Sequence, residues 1–573
     1  MDSNNSHNSF PTRKRILYRF FVVLMGAFSF ALLISFKCCQ TTVLNPDYWR
    51  ALNAKYMERQ IVSPLRGDIL AADSTVLATT TNLVDIRIDY RAERFNEKYF
   101  NDNIDLLCDS LASYFPSKTA EEWKSHLTAP LSIDRIQRPR AHLIERKVPR
   151  DLYQKFRKSI LTNQLGIYSY GKAYRLYPQG NLAHRTIGFA IERSNKLNLH
   201  GVCGIEKGLD SLLRGEKGRI GSPEPVNGAT IVTTINPSLQ KIVHNQLDSM
   251  LHLCQAEWGT AILMEVETGD IVAIANLDSV DGQYLELHNH AVLNYEPGSA
   301  FNTISMTLAI EDNLAPDTCE TIDIAPYAYA GGDPITDANN FQPIKIAEIL
   351  ERASNVGPVK IMHRKYDLTP SDFKTRLEQC GFFEPHNTGI AGETTPYMPS
   401  VENNSPGRIA LSRQFIGYNI EVSPLSLLAW YNALANDGKY VRPRLIKSIS
   451  GDAIDSTNQV TYINPTLCSA KTASIMREML AKVVWGQHGT ARILRNDQVK
   501  IAGKTGTGYI VKDNRYDMAK RRVSFTGYFP ADNPKYSCIV VINAPSGRIS
   551  AAQSSGTVTK NIALNLKDKG LLD

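Results

Sequence analysis

Paired cysteines, internal repeats, low-complexity tracts and dense basic stripes are all missing from this chain. Its nine cysteines (Cys38, Cys39, Cys108, Cys203, Cys254, Cys319, Cys380, Cys468, Cys538) form no CxxC pair and have no ligand-spaced histidines beside them, so neither a zinc site nor a thioredoxin-like motif is suggested. An odd number at irregular spacing gives no disulfide framework to read, and most are expected to be small buried hydrophobes. Without repeats, solenoids and propellers are set aside. Lysines and arginines, 64 against 57 acidic residues, are spread along the chain rather than gathered with aromatics, so nucleic acid is not expected as a partner. What remains is ordinary globular composition, 43% hydrophobic and 21% charged, over 573 residues. That is too long for one core, and two or three domains are expected.

There is one long apolar run, Phe20 to Phe36, uncharged over 17 residues. At 1.5 Å per residue it crosses most of a hydrocarbon core, and Cys38 and Cys39 extend it. Arg13, Lys14, Arg15 and Arg19 stand before it, which by the positive-inside rule keeps residues 1–19 in the cytoplasm and puts everything after Gln40 outside. A cleaved signal peptide would want a shorter run and a small-x-small exit, whereas this exit reads Phe36-Lys-Cys-Cys-Gln-Thr-Thr-Val43. A lipoprotein reading fails because Ser35-Phe-Lys37 precedes Cys38 instead of small apolar residues. The expectation is an uncleaved single-pass anchor over residues 20–40 in the cytoplasmic (inner) membrane, with the bulk of the chain extracytoplasmic.

The outer portion divides by texture. From about Asn45 to Gly221, short β-rich pieces such as Leu83 to Tyr90 mix with polar helical stretches such as Asn103 to Tyr114, as in an elongated α+β module. Composition then turns to Gly, Pro and charge through Gly215-Glu-Lys-Gly218 and Gly221 to Gly228, placing a domain boundary near residue 225. Beyond it, Ala229 to Ile235 reads as a β-branched strand, Pro237 opens a helix, and Trp258 to Asn276 reads as two strands joined by Glu267-Thr-Gly-Asp270. Ser524 to Pro530 and Tyr536 to Asn543 are strand-like, and Ala551 to Lys567 closes with a helix. The fold class is α+β, with a sheet completed by the two ends of the second domain.

Three segments carry chemistry. Pro297 and Gly298 turn the chain into an apolar helical stretch, which sets Ser299 at a helix N-terminus, where free N–H groups favour a nucleophile and its anion. A plain helix cap is the competing reading of that serine. Ile501-Ala-Gly-Lys-Thr-Gly-Thr-Gly508 contains Gly-Lys-Thr, but a phosphate loop would need glycine where Gln498 stands. A strand with Lys504, Thr505, Gly506 and Thr507 instead offers a cation, two hydroxyls and close backbone approach, which suits a peptide carboxylate and an oxyanion. Arg352-Ala-Ser-Asn-Val-Gly357 adds Asn355. The order Ser299, Asn355, Lys504 follows the S-x-x-K, S-x-N, K-T-G set.

On these residues the chain resembles a class B penicillin-binding protein, the monofunctional transpeptidase that cross-links peptidoglycan. The likeness extends to Arg66-Gly-Asp-Ile69, Arg175-Leu-Tyr-Pro178, Ile187-Gly-Phe189, Gly204-Ile-Glu206 and Leu213 to Gly218 in an N-terminal pedestal, and to Val266 to Asp270, Glu296 to Ser299, Ile416 to Pro424, Ala433 to Gly438 and Ser524 to Pro530 in a transpeptidase domain. It implies a pedestal (dimerisation-type) domain over 41–225 and a serine β-lactamase/transpeptidase-like domain over 226–573, an antiparallel sheet flanked by helices. It also implies Ser299 as nucleophile, Asn355 and Lys504 as catalytic partners, and Thr505, Gly506 and Thr507 as substrate-binding residues, with no cofactor and no metal. Implied partners are peptidoglycan stem peptides, β-lactams, the membrane, and a polytopic glycan polymerase with other cell-wall complex proteins. The stretch Ser524 to Pro534 is closer to the division-associated branch than to the elongation branch. Ser238-Leu-Gln-Lys241 and Ser371-Asp-Phe-Lys374 also match S-x-x-K without the context, and both read as helix openings.

Two positions depart from the family. The lysine three residues after the nucleophile, the usual general base, is Asn302, and the first serine of S-x-N is Ala353. An amide has no accessible protonation change and cannot take the serine proton. Lys360 is an unconvincing substitute, and Lys504 could serve Ser299 from across the site. Two functions follow: a D,D-transpeptidase-type site with impaired catalysis, or an inactive pseudo-transpeptidase acting as a scaffold or regulator of the cell-wall or division complex. β-Lactam hydrolysis faces the same missing base and leaves the anchor and pedestal without a purpose.

Overall fold

The computed structural model describes residues 10–41, 64–93, 95–159, 165–193, 196–216, 226–328, 332–337, 342–452, 454–512 and 515–572. The boundary expected near residue 225 lies outside them. Two compact units are distinguished, one of Met1–Pro64 with Glu216–Val226, the other of Leu65–Gly215 with Asn227–Asp573.

The first unit holds the helix Phe10–Cys39, 30 residues long and apolar enough from Lys14 to Cys39 to cross a membrane. The expected anchor thus forms a continuous helix, begun earlier than the apolar run by the basic residues that precede it.

In the second unit the expected strand Leu83 to Tyr90 belongs to the longer strand Val76–Ile88, and the stretch Asn103 to Tyr114 to the helix Glu97–Tyr114. Asn96 opens that helix by accepting a hydrogen bond from the Tyr99 N–H, and Phe100, Ile104, Leu107 and Leu111 recur along its buried face. They pack with Val84, Ile86, Ile88, Trp123 and Phe156 in a core of their own. A second and larger core takes Ile69, Leu77, Ile187, Ile205 and Leu213 together with the apolar residues of the C-terminal half.

Strand pairing crosses that division. A seven-stranded sheet runs in the order Ile454–Thr457, Ile446–Gly451, Thr230–Thr233, Ile69–Leu70, Val76–Ile88, His142–Val148, with Ile167–Leu176 also on Val76–Ile88. Residues 69–70 therefore pair in parallel with residues 231–232, so strands from before and after the expected boundary share one sheet.

Three of the pedestal-like landmarks meet at one buried carboxylate. Glu206, without exposure, accepts from Arg66 Nε at 2.6 Å and from Arg175 Nε at 2.6 Å, and from the Tyr177 hydroxyl at 3.2 Å. Arg66 continues to Asp210 at 2.7 Å and to the Glu206 carbonyl at 2.6 Å, while Arg175 reaches the Gly67 carbonyl at 2.7 Å. Charges this deep persist because each is paired and hydrogen-bonded.

The other sheet is fully antiparallel and six-stranded, in the order Gln283–Leu285, Ile271–Val280, Trp258–Glu265, Tyr536–Asn543, Arg515–Phe529, Ala502–Lys512. Tyr536–Asn543 lies beside Trp258–Glu265, so the two ends of the second half complete one sheet, as expected from the β-rich stretches there. The helices Pro237–Cys254 and Thr557–Asp568 pack against each other and the sheet. The helix Pro424–Ala435 is buried along its whole length, which is why its sequence is apolar all round and shows no amphipathic stripe. This sheet presents Ala502–Lys512 as an edge strand, and the candidate nucleophile packs against it.

Candidate active site

Gly298 is in the left-handed region (φ 56°), and a Cβ there would lie 2.3 Å from the Thr507 carbonyl oxygen. A Cβ on Gly506 would lie 2.3 Å from Ser524 Oγ and 3.0 Å from the Ala300 Cβ. The turn and the edge strand approach this closely because both positions are glycine. The result is a tight turn, Gly298–Phe301, running into the helix Asn302–Glu311, with the half-buried Ser299 on its first residues. Tyr431 fixes the turn from below, its hydroxyl 2.7 Å from both the Ala300 carbonyl and Thr303 Oγ1.

Ser299 is not a helix cap. Its hydroxyl donates to the Thr505 carbonyl at 3.5 Å, a long bond, and no side-chain cap hydrogen bond closes either turn. Lys504 donates to the same carbonyl at 2.6 Å. Ser299 and Lys504 therefore meet at one backbone oxygen. Lys504 is wholly buried and has no acidic partner among the described residues, and that desolvation pushes its ammonium down to about 7. As a cation Lys504 suits a peptide carboxylate, and its burial also makes accessible, near neutral pH, the neutral amine that service to Ser299 from across the site requires. Thr505 Oγ1 lies 3.1 Å from Thr490 Oγ1. Gly506 and Thr507 continue the edge strand, paired with Ser524 and Val523.

Asn302 is fully buried and spends its amide on the second motif: Nδ2 donates to the Ser354 carbonyl at 3.0 Å and to Asn355 Oδ1 at 3.1 Å. Its Oδ1 has no partner among the described residues. The carboxamide thus bridges the nucleophile helix to Asn355 without a hydrogen bond to Ser299 among the described residues. Ala353 adopts a left-handed conformation (φ 53°) and has no hydroxyl to offer from it.

Asp337, Ser354 and Thr490, none of them an expected site residue, hold this motif in place. Asp337 Oδ1 accepts from the Asn355 N–H at 2.6 Å and the Val356 N–H at 3.2 Å, and Oδ2 accepts from Ser354 Oγ at 2.5 Å. Ser354 Oγ in turn accepts from the Gly357 N–H at 3.0 Å. An anion at the N-terminus of Val356–Tyr366 satisfies N–H groups the helix leaves open and favours its dipole. Thr490, tied through its N–H to the Glu351 carbonyl at 3.2 Å, connects the Asn355 region to Thr505. No local pattern marks Asp337 or Thr490, since each acts across the fold on a segment distant in sequence.

The family models place this geometry. That for the penicillin-binding protein transpeptidase domain matches residues 259–566, and that for the penicillin-binding protein dimerisation domain matches residues 61–237. The chain belongs to the penicillin-binding protein transpeptidase family. It is 28% identical to penicillin-binding protein PbpB of Mycolicibacterium smegmatis over 65% of this chain and 61% of that protein, so the match spans about six tenths of that relative's length. It is also 28% identical to peptidoglycan D,D-transpeptidase FtsI of Buchnera aphidicola over 70% of this chain and 71% of the relative. Among solved structures, penicillin-binding protein 3 of Mycobacterium tuberculosis superposes with a TM-score of 0.64 at 23% identity, covering 89% of this chain and 96% of that one, a likeness of fold. The same protein has been solved with aztreonam and with ampicillin.

Within the family's fold, then, hydrogen bonds join Ser299 and Lys504 at the Thr505 carbonyl and join Asn302 to Asn355, and the turn Gly298–Phe301 carries Ser299 directly into the helix that begins at Asn302. The decoys do not join them: Ser238 and Ser371 are exposed at helix openings. Lys360 is committed elsewhere, 2.8 Å from Asp323 Oδ2 and 2.9 Å from the Asp323 carbonyl.

Proposed function

We propose that this chain is a membrane-anchored protein of peptidoglycan synthesis that binds stem peptides and β-lactams around Ser299 and is acylated slowly, because Asn302 occupies the position of the general base. The observation that carries the reading is the Asn302 carboxamide, which donates to Ser354 and Asn355, has an unpaired Oδ1 and makes no hydrogen bond to the nucleophile among the described residues. In the normal reaction Ser299 Oγ attacks the penultimate D-Ala carbonyl as its proton passes to a base, the peptide bond breaks and the terminal D-Ala leaves with that proton on its amine, and an acceptor amine then takes the acyl group from Ser299, whose hydroxyl is restored. An amide cannot take that proton. The complete edge strand, Lys504 to Thr507, supports retention of binding. The basic residues before the anchor support a cytoplasmic N-terminus with the site outside, and the resemblance to class B penicillin-binding proteins supports partners among polytopic glycan polymerases of the same membrane.

Fluorescent penicillin applied to the full-length chain in detergent tests this. A slow covalent label, absent from Ser299→Ala, is expected. Equal labelling of Ser299→Ala would remove Ser299 from the reading. Ala353, a second loss in the proton-transfer apparatus, favours the scaffold alternative, in which the chain occupies a cell-wall or division complex without cross-linking. A cell carrying Ser299→Ala with the full defect of a deletion would overturn that alternative.

The residual chemistry has a pH signature. Lys504 shares the Thr505 carbonyl with Ser299 and titrates at about 7. Its neutral, base-competent form prevails above that value. Acylation of the native chain should therefore rise about tenfold per pH unit below 7 and level off above it. A rate independent of pH from 5 to 9 would exclude Lys504 as the surrogate base.

A further inference from the structure

A second cluster lies outside the motif residues. Asp278, on the strand Ile271–Val280, faces His288 and His290, which follow the short strand Gln283–Leu285. Asp278 Oδ1 is 2.9 Å from His290 Nε2 and 3.1 Å from His288 Nδ1, and one ligand atom from each residue lies within 4.8 Å of the others. We propose that Asp278, His288 and His290 form an open, three-ligand site for a divalent transition metal, with zinc as the cation of choice.

Each donor is held before any metal arrives. Asp278 pairs across the sheet with both Trp258 and Leu285, so its backbone is fixed on two sides. Its Oδ2 accepts the N–H groups of His288 at 3.1 Å and Leu287 at 3.3 Å, which leaves Oδ1 to the two imidazoles. The His290 ring stacks on Trp258, centroids 3.9 Å apart at an interplanar angle of 4°. Ligand carboxylates and imidazoles fixed by such contacts bind metal with little reorganisation. Two imidazoles and a carboxylate suit zinc, whose three-ligand sites leave a position for water. The His288 side chain is 62% exposed, so that position opens to solvent.

Without metal, two ring nitrogens face one carboxylate oxygen; with it, those nitrogens present lone pairs to the cation and each neutral ring carries its proton on the other nitrogen. The site would also brace the approach to the nucleophile. Trp258 lies under the Arg522 guanidinium at 5.2 Å, and the same guanidinium covers the Tyr295 ring at 4.7 Å. Tyr295 leads directly into Glu296-Pro-Gly-Ser299.

The tag-free full-length chain in detergent, equilibrated with zinc and then dialysed against metal-free buffer, should retain an equimolar amount by elemental analysis and melt a few degrees higher than the chelator-treated chain. His288→Ala, which alters an exposed side chain, and Asp278→Asn, which keeps the shape of the carboxylate, should each lose both the zinc and the thermal gain with unchanged near-UV circular dichroism. No zinc on the native chain, or undiminished zinc on both variants, would overturn the site.

Discussion

Asn302→Lys combined with Ala353→Ser is expected to accelerate acylation of Ser299 by about 10²- to 10⁴-fold, the range over which a positioned general base acts. The acceptors that would hold an ammonium are already assembled, because the Ser354 carbonyl and Asn355 Oδ1 now accept from Asn302 Nδ2. A lysine there exchanges one donor for another and adds a group that can lose a proton. It is longer than asparagine, and filling a fully buried position costs on the order of 1–3 kcal/mol where the surroundings must shift. The orphaned Asn302 Oδ1 offsets part of this, since removing it relieves a buried acceptor without a partner. Ala353→Ser restores a hydroxyl without a change of backbone class, as alanine already holds the left-handed conformation. Stopped-flow or gel-based acylation rates for the native chain, each single variant and the double variant should show a gain in the double variant greater than the product of the single gains, because groups that relay one proton act as a unit. Additive or absent gains would mean that the site lost more than its base.

Glu206→Gln is expected to lower stability by about 3–5 kcal/mol, the usual consequence of removing one member of a buried ion pair. The Arg66 and Arg175 guanidiniums both donate to this carboxylate, and among the described residues neither has another carboxylate at comparable burial. Glutamine keeps the shape but leaves two buried cations with one neutral oxygen between them. Arg66 retains Asp210, which limits the loss on that side. The full-length chain should show a lower denaturant midpoint and faster cleavage by protease between residues 65 and 215. An unchanged midpoint would mean that the network contributes nothing net.

The same network explains how much could be read beforehand. Arg66, Arg175 and Glu206 each stood in a short local pattern, and local patterns survive translation into structure because turns, strand ends and helix starts need particular residues at fixed spacing. The nucleophile turn was legible for that reason: glycine at 298 and 506 is what permits turn and strand to touch. Asp337 was not, although it caps the helix after Asn355, because its partners are 17 to 19 residues away and any acidic residue in a loop looks alike. The two histidines on Asp278 were missed for a related reason. Their spacing of two is unremarkable as sequence, and the third donor comes from a neighbouring strand. Burial was the other blind spot. Nothing in Gly-Lys-Thr-Gly reveals that the lysine lies wholly inside, yet that burial is what brings its neutral form within reach.

The central claim is that binding was kept and proton transfer lost. It is tested most directly by measuring, at pH 7 on one detergent-solubilised full-length preparation, both the reversible affinity for a β-lactam and the rate at which the bound drug acylates Ser299, in the native chain and in Asn302→Lys with Ala353→Ser. The account predicts affinities alike within a few fold and bound-state acylation rates separated by about 10²-fold or more. Equal acylation rates in the two proteins, or a native chain that does not bind the drug at all, would contradict it.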